Sequence, residues 1–343
     1  MPIRLIQVGM GGWGQNWRQN ILKPSADVEV VASVDSDADM LTLACQRLDL
    51  PSDRCFDSLQ AALADADADA VLITASLPAH VPVALAALAA GKHVLLEKPF
   101  APSLAEAQQV VAAAEEHNRI LMLSQNYRFF PAPRVVTGLL REGKLGPVGA
   151  VSIDFRRYAN SAPRDGHRHY TIDHPLLMDM AIHHFDLLRM VLGQEPREVD
   201  CRAYNPPWSN FRDPAAAAAT ITFNGGTVVS YRGSWVSPGP ATPWAGEWRI
   251  ECEGAEIAWT SREGRDAGAD RVTVRKLGKA ARRVQLPELP AIDRAGALVA
   301  FVQAIETGEQ PESSGRDNLG SIAFMLAMIE STNTGLAVPV AQV

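Results

Sequence analysis

The chain has 343 residues, of which 47% are hydrophobic and 21% are charged, and its 39 acidic residues outnumber its 32 lysines and arginines to give a net charge of −7. A chain of this length and composition is expected to form two globular domains, each large enough to bury its own core. The acidic balance without a basic run disfavours a nucleic-acid partner, and no uncharged apolar stretch approaches the ~18 residues of a membrane span.

The first part of the chain alternates short apolar strands with alanine-rich helical segments. This order predicts a parallel sheet with helices on both faces, in a domain over residues 1–126. Right-handed crossovers place the carboxyl ends of all the strands at one edge, where such a sheet binds its ligand. Strands are predicted over 3–8, 28–34, 70–74, 92–96 and 120–124, and helices over 14–22, 36–48, 79–90 and 103–117.

After about residue 127 the alternation stops, and a second domain is expected over residues 127–343. Closely spaced strands follow one another here, and the turns Asn224-Gly225-Gly226 and Glu253-Gly254 favour hairpins, so an antiparallel sheet is predicted. The last two helices are expected to pack back on the first domain. Strands are predicted over 147–157, 197–204, 216–223, 227–235, 247–253, 256–260 and 271–277, and helices near 134–142, 175–192, 294–306 and 315–333.

A glycine-rich segment, called here the glycine turn, directly follows the first strand and opens a helix. Gly9 allows a tight turn, Gly11 lets the backbone approach a pyrophosphate, and Gly14 lets helix and strand pack closely. The free N–H groups at the helix N-terminus are suited to phosphates. The pattern is GxGxxG, formed by Gly9, Met10, Gly11, Gly12, Trp13 and Gly14, and it predicts a dinucleotide cofactor.

Asp35, at the end of the second strand, stands where the glycine pattern predicts an acid. A carboxylate there accepts hydrogen bonds from the adenosine ribose and repels a 2′-phosphate, and residues 36–38 supply no arginine to offset that repulsion. NAD is therefore favoured over NADP. The alternative is that a cation from elsewhere, such as Arg54, binds the 2′-phosphate of NADP.

The four cysteines, Cys45, Cys55, Cys201 and Cys252, are scattered along the chain and show no zinc-like spacing. The first strand pattern begins at Ile3, which leaves no room for a secretion signal, so we expect a cytosolic protein. Disulfides are rare in that compartment, and separate thiols are the prediction.

Glu97-Lys98-Pro99 follows the strand in the run AGKHVLLEKPF. With the glycine turn, the NYRFFP segment and the acid–histidine helix at 179–186, this run resembles the family of glucose-fructose oxidoreductase and inositol dehydrogenase. The resemblance covers nearly the whole chain and implies a Rossmann domain followed by an α/β domain with a large open, mainly antiparallel sheet. It also implies a cis peptide before Pro99. The cofactor contacts that it implies beyond the glycine turn and Asp35 are Thr74, Pro78, His80, Glu97, Lys98 and Asn126.

The oxidation of a secondary alcohol needs a hydride acceptor, a group that takes the hydroxyl proton and a group that stabilises the alkoxide. Lys98 follows the fifth strand, and the family's equivalent lysine bonds the reacting hydroxyl. Asp179 and His183 are four residues apart on one predicted helix face, so both can reach one substrate. His183 is the candidate acid/base because its ordinary pKa is ~6.5. The alternatives without a catalytic role are that Lys98 is a loop lysine on the surface, and that Asp179 and His183 bind each other in a core.

The substrate region is less defined, because Ile172-Asp173-His174-Pro175 stands where many family members carry a glycine run. The stretch 156–170 is a candidate substrate loop, with a solvated loop as the alternative. Asp186 and Arg189 are interpreted as a pair on the helix surface. The substrate candidates are Arg128, Tyr158, Tyr170 and His184, with Arg164, His167 and His169 in the same loop. The histidines 167, 169, 174, 183 and 184 suggest a metal site, but the family needs none and we predict none.

Three functions are open at this point. The leading hypothesis is an NAD(P)-dependent dehydrogenase or reductase that acts on a sugar, cyclitol or related polyol. The second is a redox-neutral enzyme that keeps NAD bound and cleaves or epimerises a sugar, as some relatives do. The third is a non-catalytic dinucleotide-sensing protein, which the presence of Lys98, Asp179 and His183 disfavours. The resemblance also implies a homodimer or a homotetramer.

Overall fold

A computed structural model describes residues 1–163, 166–264 and 268–343. The chain folds into two compact units. Unit 1 comprises residues 1–125 and 294–319, and unit 2 comprises residues 126–293 and 320–343. The first division therefore falls one residue before the predicted boundary at 126, and a late segment of the chain belongs to unit 1.

Within its described residues, unit 1 contains a six-stranded sheet in the order β3-β2-β1-β4-β5-β6, with every neighbouring pair parallel. Three consecutive strands, β4 to β6, consist almost entirely of buried apolar residues, as expected for a sheet covered on both faces. The strands are β1 Ile3–Val8, β2 Val28–Val34, β3 Cys55–Phe56, β4 Ala70–Ile73, β5 His93–Leu96 and β6 Leu121–Leu123.

Three helices of unit 1 begin where a short polar side chain caps them. Asp37 accepts bonds from two N–H groups of α2, and Ser58 and Ser103 accept one each from α3 and α5. The Rossmann prediction is confirmed, although β3 and α3 were missed because a two-residue strand and a seven-residue helix are too short for periodicity to show. The helices are α1 Gly12–Trp17, which continues as a π-helical turn Arg18–Leu22, α2 Ala38–Leu48, α3 Leu59–Asp65, α4 Leu77–Ala89 and α5 Leu104–Glu116.

Unit 2 is built on a sheet of nine strands among its described residues, in the order β14-β13-β12-β11-β7-β10-β9-β8-β15. The hairpin turns predicted at 224–226 and 253–254 join antiparallel neighbours. The central pair β7–β10 is parallel and the other neighbouring pairs are antiparallel, so the prediction of a mainly antiparallel sheet is confirmed. The strands are β7 Val148–Arg156, β8 Pro196–Tyr204, β9 Ala216–Phe223, β10 Val228–Ser234, β11 Glu247–Cys252, β12 Ala255–Thr260, β13 Arg271–Lys276, β14 Arg282–Arg283 and β15 Val338–Pro339.

Alternation along these strands buries one face of the sheet and exposes the other. Ile153, Tyr231 and Trp248 lie on the buried face, whereas Asp154 and Arg232 form an ion pair on the exposed face. A 3₁₀ turn Asn126–Phe129 opens the unit, and its helices are α6 Pro131–Arg141 and α7 Ile182–Leu192, the latter entered through a π-helical segment Pro175–Ala181.

The C-terminal part of the chain contributes to both units. It contains α8 Asp293–Thr307 and α9 Gly315–Thr334, and the division between the units falls inside α9. In unit 1, the N–H of Leu123 donates to the carbonyl of Ser313 over 2.9 Å. A Cβ at Gly315 would lie 2.4 Å from the Leu121 side chain, so this segment packs tightly on β6.

Cys45 and Cys55 are joined as a disulfide, while Cys201 and Cys252 are free. The prediction of four separate thiols was therefore wrong for the first pair. The reason is that β3 lies beside β2 and brings Cys55 back to α2, a topology that the spacing of the cysteines does not show. Among the described residues, no helix is both long and apolar enough to cross a membrane.

Candidate active site

The glycine turn is tightly packed on its inner side. Gly9 has a φ of +95°, and a Cβ at Gly14 would lie 1.8 Å from the Gly9 carbonyl oxygen, so both positions require glycine. The Thr74 hydroxyl donates to the Gly9 carbonyl over 2.7 Å, and the buried Gln7 amide donates to the Gly14 carbonyl over 2.7 Å. Thr74 therefore supports the turn by donating to the carbonyl of Gly9. Gln7 was missed, although an amide in the apolar half of a strand suggests such a role.

The outer side of the same turn is open. A Cβ at Gly11 or Gly12 would meet no described atom within 4 Å. The backbone is thus accessible next to the N-terminus of α1, where free N–H groups favour an anion. The residues present fit the pyrophosphate of a dinucleotide.

Asp35 is held at the carboxyl end of β2 by two backbone donors. The N–H of Met10 donates to its Oδ2 over 2.7 Å, and the N–H of Asp37 donates to its Oδ1 over 3.0 Å. These bonds fix the carboxylate beside the glycine turn, as an acceptor for ribose hydroxyls requires. Arg54, the alternative partner of a 2′-phosphate, lies 3.7 Å from Glu29 and is half-exposed.

Trp13 is the exposed side chain of the glycine turn, with 47% of its surface accessible. The Arg294 guanidinium stacks 4.4 Å from the centre of its ring and donates to the Asn16 side chain over 2.7 Å. Arg294 is the first residue of the late segment of unit 1. This segment therefore supports the turn through a cation–π contact that the sequence did not indicate.

The segment Glu97–Pro99, called the Lys98 loop, follows β5. The buried Glu97 accepts a hydrogen bond from the Trp17 indole over 2.7 Å, and its other oxygen accepts one from the Lys98 N–H over 3.3 Å. The Lys98–Pro99 peptide is cis, as the resemblance implied. Glu97 thus links the loop to α1, which gives it a positioning role.

His80 supports the Lys98 loop from α4, whose first turn contains Pro78. Its Nδ1 lies 2.8 Å from the Pro99 carbonyl and its Nε2 lies 3.2 Å from the Ala75 carbonyl. Burial lowers the pKa of His80, so the ring is neutral near neutral pH and donates from one nitrogen at a time. Both nitrogens therefore face backbone of unit 1.

In unit 2, Asp179 and His183 lie on either side of the junction between the π-helical segment and α7. The sequence predicted an uninterrupted α-helix here, and π-helical turns are frequent at functional sites. The Asp179 side chain is 39% exposed, with Oδ2 3.3 Å from His169 Nε2. His183 is 5% exposed, and its ring stacks on Tyr127 with centres 4.0 Å apart and planes within 5°.

Tyr127 joins these residues into what we call the Tyr127 cluster: Tyr127, Asp179, His183, Arg262 and Asp293. The Arg262 guanidinium lies 4.2 Å from the centre of the Tyr127 ring and 3.4 Å from Asp293. Burial raises the pKa of Tyr127 to about 12, and the charges of Arg262, Asp293 and Asp179 also act on its hydroxyl. Tyr127 and Arg262 were missed because no local pattern relates them to residue 183.

Asn126 lies beside this cluster and is buried. Its side-chain amide donates to the Asp293 carboxylate, the same group that faces Arg262. The structure thus gives Asn126, an expected cofactor contact, a partner inside unit 2.

Arg128 is placed in the interior of unit 2. It is 3% exposed and forms two bonds of 2.6 Å with the Asp186 carboxylate. Ser321 donates to Asp186 over 2.8 Å and accepts from Arg189 over 2.8 Å. Asp186 and Arg189 are buried, so the prediction of a surface pair was wrong. The Nε and Nη2 atoms of Arg128, a predicted substrate residue, bind this buried carboxylate.

His184 and Tyr170 are also internal. His184 is fully buried, with its nitrogens 3.1 Å from the Tyr231 hydroxyl and 3.1 Å from the Trp244 carbonyl, and burial lowers its pKa to about 4. Tyr170 is 3% exposed, and its hydroxyl accepts from the Ala162 N–H over 3.1 Å. Both were expected near the substrate, but their polar atoms satisfy neighbouring groups of unit 2.

Of the remaining loop candidates, Tyr158 is 53% exposed and Arg164 lies outside the described residues. The rings of His167 and His169 are 6.2 Å apart, and His169 is the partner of Asp179. Within residues 1–163, 166–264 and 268–343, no group of three histidine, cysteine or acidic side chains is arranged to hold a metal ion.

Family models match most of the chain. Residues 3–125 match the model described as "Oxidoreductase family, NAD-binding Rossmann fold", and residues 134–258 match the GFO/IDH/MocA C-terminal domain. The chain belongs to the GFO/IDH/MocA oxidoreductase family. This confirms the resemblance that the motifs indicated.

Named relatives cover large parts of this family member. It is 28% identical to 1,5-anhydro-D-fructose reductase of Ensifer adhaerens over 292 aligned residues, and the alignment covers 82% of each chain. UDP-N-acetylglucosamine 3-dehydrogenase of Acidithiobacillus ferrooxidans is 30% identical over 69% of each chain, and a crystal structure of it superposes with a TM-score of 0.78 over 97% of this chain and 99% of that one.

An oxidoreductase from Agrobacterium radiobacter, solved with NAD+, L-tartaric acid and magnesium, has the same fold. Its TM-score is 0.85 at 20% identity, over 99% of each chain. With relatives that are dehydrogenases and reductases and a family that binds NAD, this protein is an NAD-dependent oxidoreductase of a family that acts on sugars and polyols.

Proposed function

We propose that this enzyme transfers a hydride between the nicotinamide of NAD and a secondary hydroxyl or ketone of a sugar, cyclitol or related polyol. The observation that carries the proposal is the Lys98 loop, which presents an ammonium group directly after a strand of the Rossmann sheet. Glu97 and His80 support the loop from two sides. A surface lysine without a function would not need this support.

When it is bound, NAD supplies the hydride acceptor. In this proposal the Lys98 ammonium bonds the reacting hydroxyl and stabilises the alkoxide as the proton leaves. His183 takes that proton when the alcohol is oxidised and returns it when the ketone is reduced. Its stacking on Tyr127 fixes the ring plane, and Asp179 accepts a hydrogen bond from a neighbouring hydroxyl of the substrate.

The preference for NAD over NADP rests on Asp35. Two backbone N–H groups hold its carboxylate, so it cannot turn away from a 2′-phosphate without breaking both bonds. Arg54 faces Glu29, which reduces its value as a partner for that phosphate.

The relatives support the substrate class. One is named for 1,5-anhydro-D-fructose and another for UDP-N-acetylglucosamine, both of which are polyhydroxylated rings.

The test is a screen of sugars, sugar acids and cyclitols at the NADH absorbance band, with NAD and NADP in parallel, followed by Lys98→Met on the best substrate. We expect turnover to fall by about 10²–10³-fold, the cost of removing one donor to a developing oxyanion, while NADH titration is unchanged. Lys144→Met is the matched control, because Lys144 is 76% exposed and contacts Glu142.

If Lys98→Met keeps most of the wild-type turnover, the proposal is wrong. Product formation without net NADH would instead indicate the redox-neutral alternative. Failure of the whole panel to change NAD absorbance, combined with specific protein binding, would favour the non-catalytic sensor.

A further inference from the structure

Arg157 is a half-buried cation that the proposed chemistry does not use. It follows β7, and its guanidinium lies 4.2 Å from the centre of the Trp244 ring. Its Nε atom is buried and has no hydrogen-bond partner in the part of the chain that the structure describes. A buried donor without an acceptor costs about 1–3 kcal/mol, so this one calls for an explanation.

Arg262, a member of the Tyr127 cluster, has the same property. Its Nε is buried and finds no acceptor among the described residues, although Nη2 faces Asp293. Its φ of +62° lies in the left-handed region, a strain of about 1–3 kcal/mol that is retained mainly at functional sites in residues other than glycine.

The two arginines are connected through Trp244. The N–H of Trp244, on whose ring Arg157 lies, donates to the Arg262 carbonyl over 3.1 Å. Arg262 in turn covers Tyr127, and Tyr127 stacks on His183. The cations are therefore linked to the candidate acid/base through direct contacts inside unit 2.

Arg157 has no ion-pair partner among the residues that the structure describes. Asp293, by contrast, faces Arg262. Burial lowers the pKa of the Arg157 guanidinium, while Tyr127 and the exposed Glu263 act in the opposite direction. A half-buried cation that no carboxylate pairs with directly is unfavourable, and an anionic ligand would reduce that cost.

We propose that the substrate of this enzyme is a polyol that carries a carboxylate, such as an aldonic or uronic acid, and that Arg157 binds the carboxylate while Arg262 lines the same pocket. One guanidinium without an ion-pair partner matches a single negative charge better than the nearly double charge of a phosphate ester. A guanidinium also pairs with a carboxylate through two parallel hydrogen bonds. This inference rests on the proposed function and narrows its substrate class.

The test compares D-gluconate with D-glucitol, which share a polyhydroxylated chain and differ in the carboxylate. Binding to the NAD-loaded protein is followed by tryptophan fluorescence, since Trp244 lies under Arg157. We expect D-gluconate to bind more tightly than D-glucitol and Arg157→Gln to weaken D-gluconate by about tenfold to a hundredfold without changing D-glucitol. Arg157→Lys, which keeps the charge without the planar fork, should lose part of this affinity.

Arg249→Gln is the matched control, because Arg249 is 65% exposed and pairs with Glu256 on the open sheet face. Equal binding of acid and alcohol, an equal loss of both in Arg157→Gln, or no binding of D-gluconate, D-galactonate and D-glucuronate overturns the inference. Weaker NADH titration in Arg157→Gln also overturns it, since the cation would then serve the cofactor.

The substrate screen separates this failure from failure of the proposed function. Lys98-dependent oxidation of neutral sugars, with acids no better, rejects only the acidic substrate. Turnover that survives Lys98→Met rejects the function itself.

Discussion

The glycine turn of unit 1 and the Tyr127 cluster of unit 2 are built in different ways. The turn is built from backbone: residues 9–14 provide its shape, and the side chains of Gln7 and Thr74 donate to its carbonyl groups. The cluster is built from contacts between side chains, and its members are spread from residue 127 to residue 293. A site shaped by backbone needs particular residues at consecutive positions, whereas a site formed by side chains needs only that residues distant in sequence meet in the fold.

This difference predicts how each region responds to substitution. A change in the glycine turn displaces backbone and should affect folding and the cofactor together. A change in the Tyr127 cluster removes one side chain and should affect chemistry or local stability, while the Rossmann unit keeps its cofactor.

The largest expected effect is that of Gly14→Ala. The new Cβ would lie 1.8 Å from the Gly9 carbonyl oxygen and 2.9 Å from the Thr74 hydroxyl, so backbone must move. We expect a loss of about 3 kcal/mol in the free energy of unfolding, the upper range for overpacking. NADH affinity should fall at least about a hundredfold, because the turn no longer presents its N–H groups. Urea denaturation and NADH titration measure the two losses.

Gly11→Ala is the matched comparison, because a Cβ there meets no described atom within 4 Å. It should leave the unfolding free energy nearly unchanged and weaken NADH alone, since the new methyl group occupies the side open to the pyrophosphate. Equal destabilisation by both variants would contradict the backbone account of the turn.

The sequence predicted the local parts of the fold well. Apolar runs and capping residues such as Asp37 indicate most helices and strands of unit 1 from neighbouring positions, whereas β3 and α3 are too short for an apolar run to show. The hairpins of unit 2 were also predictable, because turns at 224–226 and 253–254 relate adjacent strands. The parallel pair β7–β10 was not, since it pairs residues 78 positions apart, such as Ala150 and Val228, that no turn relates.

The candidate site divides in the same way. Gly9, Gly14 and Asp35 were identified because their roles follow from backbone geometry at short separation. Arg128 and His184 were interpreted as substrate residues because composition alone cannot show that Asp186 or Tyr231 lies opposite them in the core. Polar residues on an apolar helix are ambiguous until their partners are known.

An intermediate effect is expected from His184, whose pKa burial lowers from 6.5 to about 4. The unfolded chain then binds the proton more tightly than the folded chain, so stability is fully present above pH 6.5 and is lost as the pH falls toward 4. The loss reaches about 3 kcal/mol, from 1.36 kcal/mol per pKa unit. Urea denaturation between pH 7 and pH 4 measures it, and tryptophan fluorescence reports mainly unit 2, which holds five of the seven tryptophans.

His184→Gln keeps a polar group at this position and removes the titration, so its urea midpoint should depend less on pH than that of the wild-type protein. His117→Gln, at an exposed position of unit 1, is the control and should follow the wild-type curve. Parallel curves for His184→Gln and wild type would show that the buried imidazole does not contribute to the loss.

The smallest effect compares one buried tryptophan from each unit. The Trp17 indole donates over 2.7 Å to the Glu97 carboxylate, whereas the Trp248 indole donates over 2.6 Å to the neutral Ala245 carbonyl. Because bonds to charged groups contribute more, Trp17→Phe should cost about 1 kcal/mol more than Trp248→Phe, the loss of ring volume being the same. Urea denaturation measures both. Adding Glu97→Gln to the Trp17→Phe variant should remove this difference in unfolding free energy, because a buried charge then no longer lacks its donor. If the difference is unchanged, packing and not the carboxylate makes the loss of Trp17 more costly.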